Sequence, residues 1–305
     1  MSEETASPTG PGTGPGDAGQ GAPGDAGVAV KPLVPGMRRL LYVAAVLVLL
    51  AGFQLFVFTD RTASYFAWTI RNPLAAAFLG GAYWASVSFE ALAARQRIWA
   101  NARIAVPTVL VFTVLTLVAT LLHLSLFHLG GQFAISTRIV TWTWIAIYTL
   151  VPVLMLIVLA VQLAAAGSDP PRSVLLPGWV YALLAVQAVV LLGLGVALFA
   201  APGQAAPWWP WKLTPLLAQA TGAWLISLGV AAAHALAERD ARRLVPASFA
   251  YVLLAVLQLI ALARYPGRFE WSSAAGVIYL AFLVTMLATG GVGLARARSR
   301  PDPAG

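Results

Sequence analysis

The chain has 305 residues, of which 60% are hydrophobic and only 10% charged. A water-soluble domain carries about 25% charged residues, so this sequence lacks the polar surface to sit in water. It contains no cysteine, which excludes disulfides, thiolate metal sites and cysteine nucleophiles. Its formal net charge of +8 comes from basic residues that flank apolar runs and do not form a stripe, the pattern of membrane anchoring and not of nucleic-acid binding.

Residues 1–36 are rich in Gly, Pro, Ser, Thr and Asp and show no apolar periodicity. Such a segment buries too little surface to offset its ordering entropy, so it reads as a disordered cytoplasmic tail. The stretch from Met37, "MRRLLYVAAVLVLLAG", imitates a signal peptide, but no small-x-small cleavage site closes it. It is expected to be an uncleaved first span.

About 20 apolar residues cross the hydrocarbon core. Eight stretches qualify, at 40–58, 74–93, 104–127, 139–165, 174–200, 213–236, 244–263 and 272–295. With the N-terminus inside, Lys31, Arg38, Arg39, Arg95, Arg97, Arg103, Arg172, Arg239, Arg242, Arg243, Arg296, Arg298 and Arg300 fall on the cytoplasmic side. Arg61, Arg71, Arg138, Lys212, Arg264 and Arg268 fall outside. The excess of basic residues inside predicts both termini in the cytoplasm, as an even span count requires.

The sequence repeats itself. Trp68 matches Trp211 at an offset of 143, Pro73-Leu74 matches Pro215-Leu216 at 142, and Gly80 and Arg97 match Gly222 and Arg239 at the same offset. Ala102-Arg103 and Val106-Pro107 match Ala241-Arg242 and Val245-Pro246 at 139; Gly131 and Phe133 match Gly267 and Phe269 at 136. The offset changes only between spans, where insertions are tolerated. The expected fold is therefore all-α, a polytopic bundle of eight transmembrane helices built as two parallel four-helix repeats. The predicted boundaries are a first repeat over 37–166, a linker over 167–178, a second repeat over 179–296 whose first helix begins near 174, and a cytoplasmic tail over 297–305.

Each half, with "GAWLISLGVAAAHAL" from Gly222, a short basic turn, another apolar helix and "ARYPGRF" before the last one, resembles the four-helix DoxX-like membrane proteins. The whole chain looks like a tandem fusion of two such units, as in multi-pass membrane proteins of high-GC bacteria. The resemblance covers residues 40–295. It implies a bacterial cytoplasmic membrane location and, for some members, association with quinone-linked oxidoreductases, but it carries no active-site residue across.

Ionisable residues inside a membrane are functional candidates by default. Glu90 falls within about a turn of the cytoplasmic interface. It reads as a snorkelling acid paired with Arg38, Arg39 or Arg95, or alternatively as a proton or cation site at an inner vestibule. His234 falls at the inner boundary, and His123 and His128 near the outer end of the third span. Five residues apart, His123 and His128 lie about 140° around a helix, so one intact helix cannot aim both at one haem iron. Thr113, Thr116, Gln187, Thr221, Ser227 and Gln258 supply only mild polarity at mid-depth and are expected to bond between helices. The small-residue runs "FLGGAYWA" and "QATGAWLIS" predict close helix crossings beside Trp84 and Trp224. Glu238 and Asp240, beside three arginines, read as a solvated turn.

Seven tryptophans, Trp68, Trp142, Trp144, Trp208, Trp209, Trp211 and Trp271, map to the outer end. Aromatic belts normally serve both interfaces, so two readings stand: a lopsided belt, or an aromatic mouth with Trp68, Arg71, Trp211, Lys212, Arg264 and Arg268 that receives an anionic amphiphile. No Walker loop, dinucleotide fingerprint, HExxH or nucleophile elbow occurs. The expected function is binding or passage of a small amphipathic or anionic solute, without a resident metal. The alternative is a membrane-embedded enzyme or a quinone-interacting subunit, with quinone as the cofactor. Expected partners are the bilayer, the small ligand, and a second copy or another membrane subunit.

Overall fold

The computed structural model describes residues 29–300. Eight long helices follow in chain order: α1 (Pro35–Val57), α2 (Pro73–Arg95), α3 (Ala105–Leu122), α4 (Ile135–Ala164), α5 (Gly178–Ala200), α6 (Pro215–Glu238), α7 (Val245–Arg264) and α8 (Ala274–Ala297). Seven of them are long and apolar enough to cross a membrane, the pattern of a multi-pass membrane protein; α2 is the one that falls short. Its deficit is one of composition: Ser86, Ser88, Glu90 and a run of small residues lower its hydropathy, while its 23 residues give it the same length as α1.

Local chemistry starts the helices where the sequence says they start. Asn72 accepts a hydrogen bond from Leu74 N at 3.1 Å ahead of Pro73, and Thr214 accepts one from Leu217 N at 3.4 Å ahead of Pro215. A side-chain cap followed by proline satisfies one orphan donor and removes another. Ser273 also caps α8, accepting from Gly276 N at 3.0 Å, but Ala274 follows it in place of a proline. The third span is shorter than expected: α3 ends at Leu122, a single 3-10 turn follows, and Phe127 and His128 run extended to pair with residues 67 and 68.

Packing is layered. α2 and α6 are the most buried, with α3 and α7 beside them; α1, α4, α5 and α8 lie outside and present Val43, Leu50, Leu150, Leu154, Val189 and Ile278 to the surroundings. α1 packs on α2 and α5 on α6; α3 packs on α6 and α7 on α2; α4 closes on α3 and α8 on α7. The tightest crossings use glycine. A Cβ on Gly80 would lie 2.5 Å from Phe56 N, and one on Gly222 would lie 2.7 Å from Gly195 O. Only a residue without a side chain permits that approach.

The loops collect at two ends. At the end holding residue 31, Trp99 N donates to Lys31 O at 3.0 Å and Ala241 N to Val174 O at 2.8 Å. At the far end, His128 N donates to Ala67 O at 3.0 Å and Glu270 N to Pro210 O at 3.1 Å. Residues 1–28 and 301–305, the bulk of the two expected tails, lie outside the described residues. Residues 31–33 are already held, since Leu33 N donates to Arg97 O at 2.9 Å and Lys31 N to Ser168 O at 2.9 Å.

Candidate functional site

The far end is built on two aromatic clusters. In the first, Phe66, Trp68 and Trp144 pack with ring centroids 4.5, 5.2 and 5.1 Å apart. In the second, Trp209, Trp211 and Tyr279 pack with centroids 5.1, 5.6 and 5.4 Å apart. Trp68 is 5% exposed and Trp211 2%. The two tryptophans placed at the heart of the outer rim are thus core side chains. Of the seven tryptophans at this end, Trp142, Trp208 and Trp271 are exposed and the other four are buried.

The basic residues of the expected mouth divide. Asn72 Nδ2 donates to Lys212 O at 3.4 Å, bringing the two tryptophan-bearing loops together and setting the exposed Arg71 near the exposed Lys212. Arg264 is committed elsewhere: it donates to Phe56 O and lies 5.2 Å from the Phe56 ring, binding the C-terminal end of α1. A cation on terminal helix carbonyls is stabilising. Arg268 lies exposed on the loop before α8.

Beneath Trp208–Pro210 lies an apolar cavity of about 200 Å³. Val190, Leu191 and Leu194 of α5 form one wall and Ala275, Ile278 and Phe282 of α8 the other, with Trp224, Leu254 and Phe78 at its base. α5 and α8 touch only lightly, so the cavity sits behind a lateral cleft whose lips, Val190 and Ile278, are exposed. Polar groups are few. Gln258 Nε2 donates to Phe78 O at 3.0 Å, and Tyr279 OH donates to Gln258 Oε1 at 3.2 Å. Trp209 lines the cavity and is 5% exposed, yet its indole N–H has no acceptor among the described residues. The indole N–H groups of Trp68 and Trp211 are likewise without an acceptor among the described residues, but of these three only Trp209 lines the cavity.

At the opposite end, the turn read as solvated has its two acids and Arg243 buried, while Arg239 and Arg242 stay exposed. Glu238 and Asp240 are each 2% exposed and Arg243 4%. Glu238 accepts from Arg103 through both carboxylate oxygens, the Nη2 bond being 2.9 Å, from Arg243 Nη1 at 3.0 Å, and pairs with His234 Nε2 at 3.0 Å. Arg103 also reaches Asp169, and this pairing with Glu238 first, then Asp169, raises its pKa and fixes its charge. Arg172 Nε donates to Glu238 O at 2.8 Å, and Asp240 accepts from Ser173 N at 2.6 Å. The linker lies across the turn and the start of α3 comes against the end of α6, which removes Glu238, Asp240 and Arg243 from water. A groove of about 460 Å³ opens beside it, walled by Val106, Leu110, Leu159 and Leu163 and ending on Arg103, His234 and Glu238.

Glu90 does not form the arginine pair expected of it. It is 1% exposed and no arginine pairs with it among the described residues. Arg38 Nη2 instead donates to Gln96 O at 3.3 Å. Arg39 and Arg95 are exposed. Ser86 Oγ donates to Glu90 Oε1 at 3.1 Å, and Oε2 has no partner. The remaining candidates are structural in their contacts. His123 Nε2 meets Gln219 Oε1 at 2.8 Å, and His128 is held by Phe66 O and Thr69 Oγ1. Gln187 and Gln258 bond between helices as expected, whereas Thr113 and Ser227 bond back to their own helix. Trp209 was legible only as one of seven outer tryptophans; the cavity that singles it out comes from how α5 and α8 diverge. No family model, curated protein or solved structure matches the chain.

Proposed function

We propose that this multi-pass membrane protein binds a small amphipathic molecule, taken from the bilayer through the α5–α8 cleft. The observation that carries this is the apolar cavity of about 200 Å³ with the unpartnered Trp209 N–H on its wall. An apolar cavity of about 150 Å³ already holds a benzene-sized ring, so a substituted ring or a short chain fits here. The N–H selects a ligand with a carbonyl, ether or acidic oxygen at that end. The DoxX-like resemblance adds isoprenoid quinone to the candidate ligands, and Arg71 and Lys212 at the same end favour an acidic headgroup on a lipid.

All eight long helices cross the bilayer in this proposal, in two parallel four-helix units with both termini cytoplasmic. Support comes from features that recur in both halves: the Gly80 and Gly222 crossings, the two three-ring aromatic clusters, and the paired backbone hydrogen bonds at each end. α2 crosses without high hydropathy because its neighbours, and not lipid, surround it.

Native mass spectrometry of the protein in mild detergent tests the ligand. The wild-type chain should retain a lipophilic adduct, and Leu194→Trp, which fills the cavity, should lose it. Trp209→Phe keeps the ring but removes one hydrogen bond worth about 1 kcal/mol, a loss of roughly fivefold in affinity. Identical adducts in all three proteins, or none in the wild type, would sink the proposal. Extraction of the adduct separates a redox-active quinone from an acidic lipid.

A further inference from the structure

We infer that the groove at the end holding Lys31 binds one anionic phospholipid of the adjacent leaflet, its phosphate between Lys31 and Arg103 and an acyl chain along α3 and α4. The site lies at the opposite end from the α5–α8 cleft and does not depend on it. The groove opens sideways. α3 forms its floor, while α4 and α6 flank it without a packed interface between them. Leu163 on α4 and Ala237 on α6 are its exposed lips. Along the floor, Arg103 gives way to the apolar Val106, Pro107 and Leu110 within about two turns of helix. The volume of about 460 Å³ falls within the roughly 300–1,000 Å³ of pockets that hold organic ligands. A soluble anion would use the charged end and leave the apolar walls unfilled. A lipid satisfies both, because the gap between α4 and α6 faces acyl chains.

The charged end selects the headgroup. A guanidinium has five N–H donors; Arg103 spends two on Glu238 and one on Asp169, and its side chain is 25% exposed. Two donors remain for a ligand. Glu238 does not repel an anion there, because it is 2% exposed and both its oxygens are taken by Arg103, Arg243 and His234. Lys31 brings a further cation to the α4 lip. Its Nζ donates to Leu163 O at 2.8 Å, and its backbone oxygen accepts from Trp99 N at 3.0 Å, Trp99 being part of the groove wall. An ammonium has three donors, so two of these remain as well.

The charges sum in favour of an anion. Arg103, Arg243 and Lys31 stand against Glu238 and Asp169, three cations against two carboxylates, even with His234 neutral. Arg172 and Asp240, bonded at the same turn, add one charge of each sign. His234 refines the choice. A carboxylate only accepts, so Nε2 carries the hydrogen directed at Glu238, and in the neutral ring Nδ1 is left to accept. Phosphate oxygens for the two cations and a hydroxyl for Nδ1 are what a phosphatidylglycerol headgroup presents.

Native mass spectrometry of the full chain in mild detergent tests the site, with phosphatidylglycerol and phosphatidylcholine of identical acyl chains as probes. The wild type should bind one phosphatidylglycerol saturably and about fivefold or more tighter than phosphatidylcholine, the factor that one cation contributes beside an acidic lipid. Lys31→Gln, which keeps a donor for Leu163 O, should weaken phosphatidylglycerol about fivefold and leave phosphatidylcholine unchanged. Leu163→Trp, which sets a bulky ring on an exposed lip, should weaken both lipids. Leu194→Trp, which fills the cavity at the far end, should weaken neither. Gel filtration and circular dichroism establish that the variants share the wild-type fold, and Arg103 is kept intact because it also holds the buried turn together. Equal affinity for the two headgroups, a Lys31→Gln protein that binds like the wild type, or loss of phosphatidylglycerol in Leu194→Trp would each overturn the inference. Displacement of the lipid by excess inorganic phosphate would make the ligand a soluble anion and would equally refute it.

Discussion

Replacing Glu238 by Gln removes one negative charge from a cluster that contains Arg103, Arg243 and His234 while keeping the side chain's size. The wild-type carboxylate receives two bonds from Arg103, one from Arg243 and one contact from His234. Breaking a buried ion pair by removing one partner costs roughly 3–5 kcal/mol, because the other charge stays behind uncompensated. Here Arg103 retains Asp169 and its side chain is 25% exposed, whereas Arg243, 5% exposed, keeps Pro170 O and an Asp169 oxygen at 3.8 Å. These residual contacts place the expected loss at the lower bound, about 3 kcal/mol, or roughly 6–10 °C in melting temperature. Tryptophan fluorescence during thermal unfolding in detergent reads it directly. Glu270→Gln, at an exposed position, serves as the control and should change stability by less than about 0.5 kcal/mol. A double-mutant cycle with Arg103→Gln should show a coupling of at least about 1 kcal/mol. If Glu238→Gln melts with the wild type, or the cycle is additive, the turn is solvated after all and the cluster contributes nothing.

Gly222→Ala would place a Cβ 2.7 Å from Gly195 O and 2.9 Å from Phe199 N, and should cost about 2 kcal/mol or more as α5 and α6 are forced apart. Gly193→Ala, whose Cβ meets nothing within 4 Å, should instead gain a few tenths to about 1 kcal/mol in the same melting assay. His128, between spans, has its pKa lowered by burial, against the opposing bond to Phe66 O. The folded state then binds fewer protons than the unfolded one, so this contribution is full above about pH 6.5 and is lost as pH falls through the depressed folded value. His128→Asn should flatten that acid-side loss in melting temperature measured from about pH 7 to 5. Reporter fusions after Arg103 and Arg243 should report one side of the membrane, and fusions at Arg138 and Arg268 the other. Finding the two basic turns on opposite sides would refute the parallel repeat.

The sequence by itself determined the helices. Apolar length, Asn72-Pro73 and Thr214-Pro215 mark where spans begin, because capping and proline act within a few residues of chain and need no tertiary partner. Gly80 and Gly222 were legible as crossing points for a similar reason: an absent side chain can be read directly, and its geometric meaning is the same wherever a second helix arrives. What the tertiary structure alone decided is which polar groups meet and which are left unmet. Arg103 and Glu238 are 135 residues apart in sequence, and nothing local distinguishes their turn from one bathed in water. Glu90 has Arg95 five positions away and yet bonds only to Ser86, since the helix points the two side chains to different sides. Trp68 and Trp211 look like interfacial anchors by depth but are core by direction. Depth along a span follows from counting residues, whereas the direction a side chain takes, and so its solvent and its partners, is set by the long-range packing of helices around it.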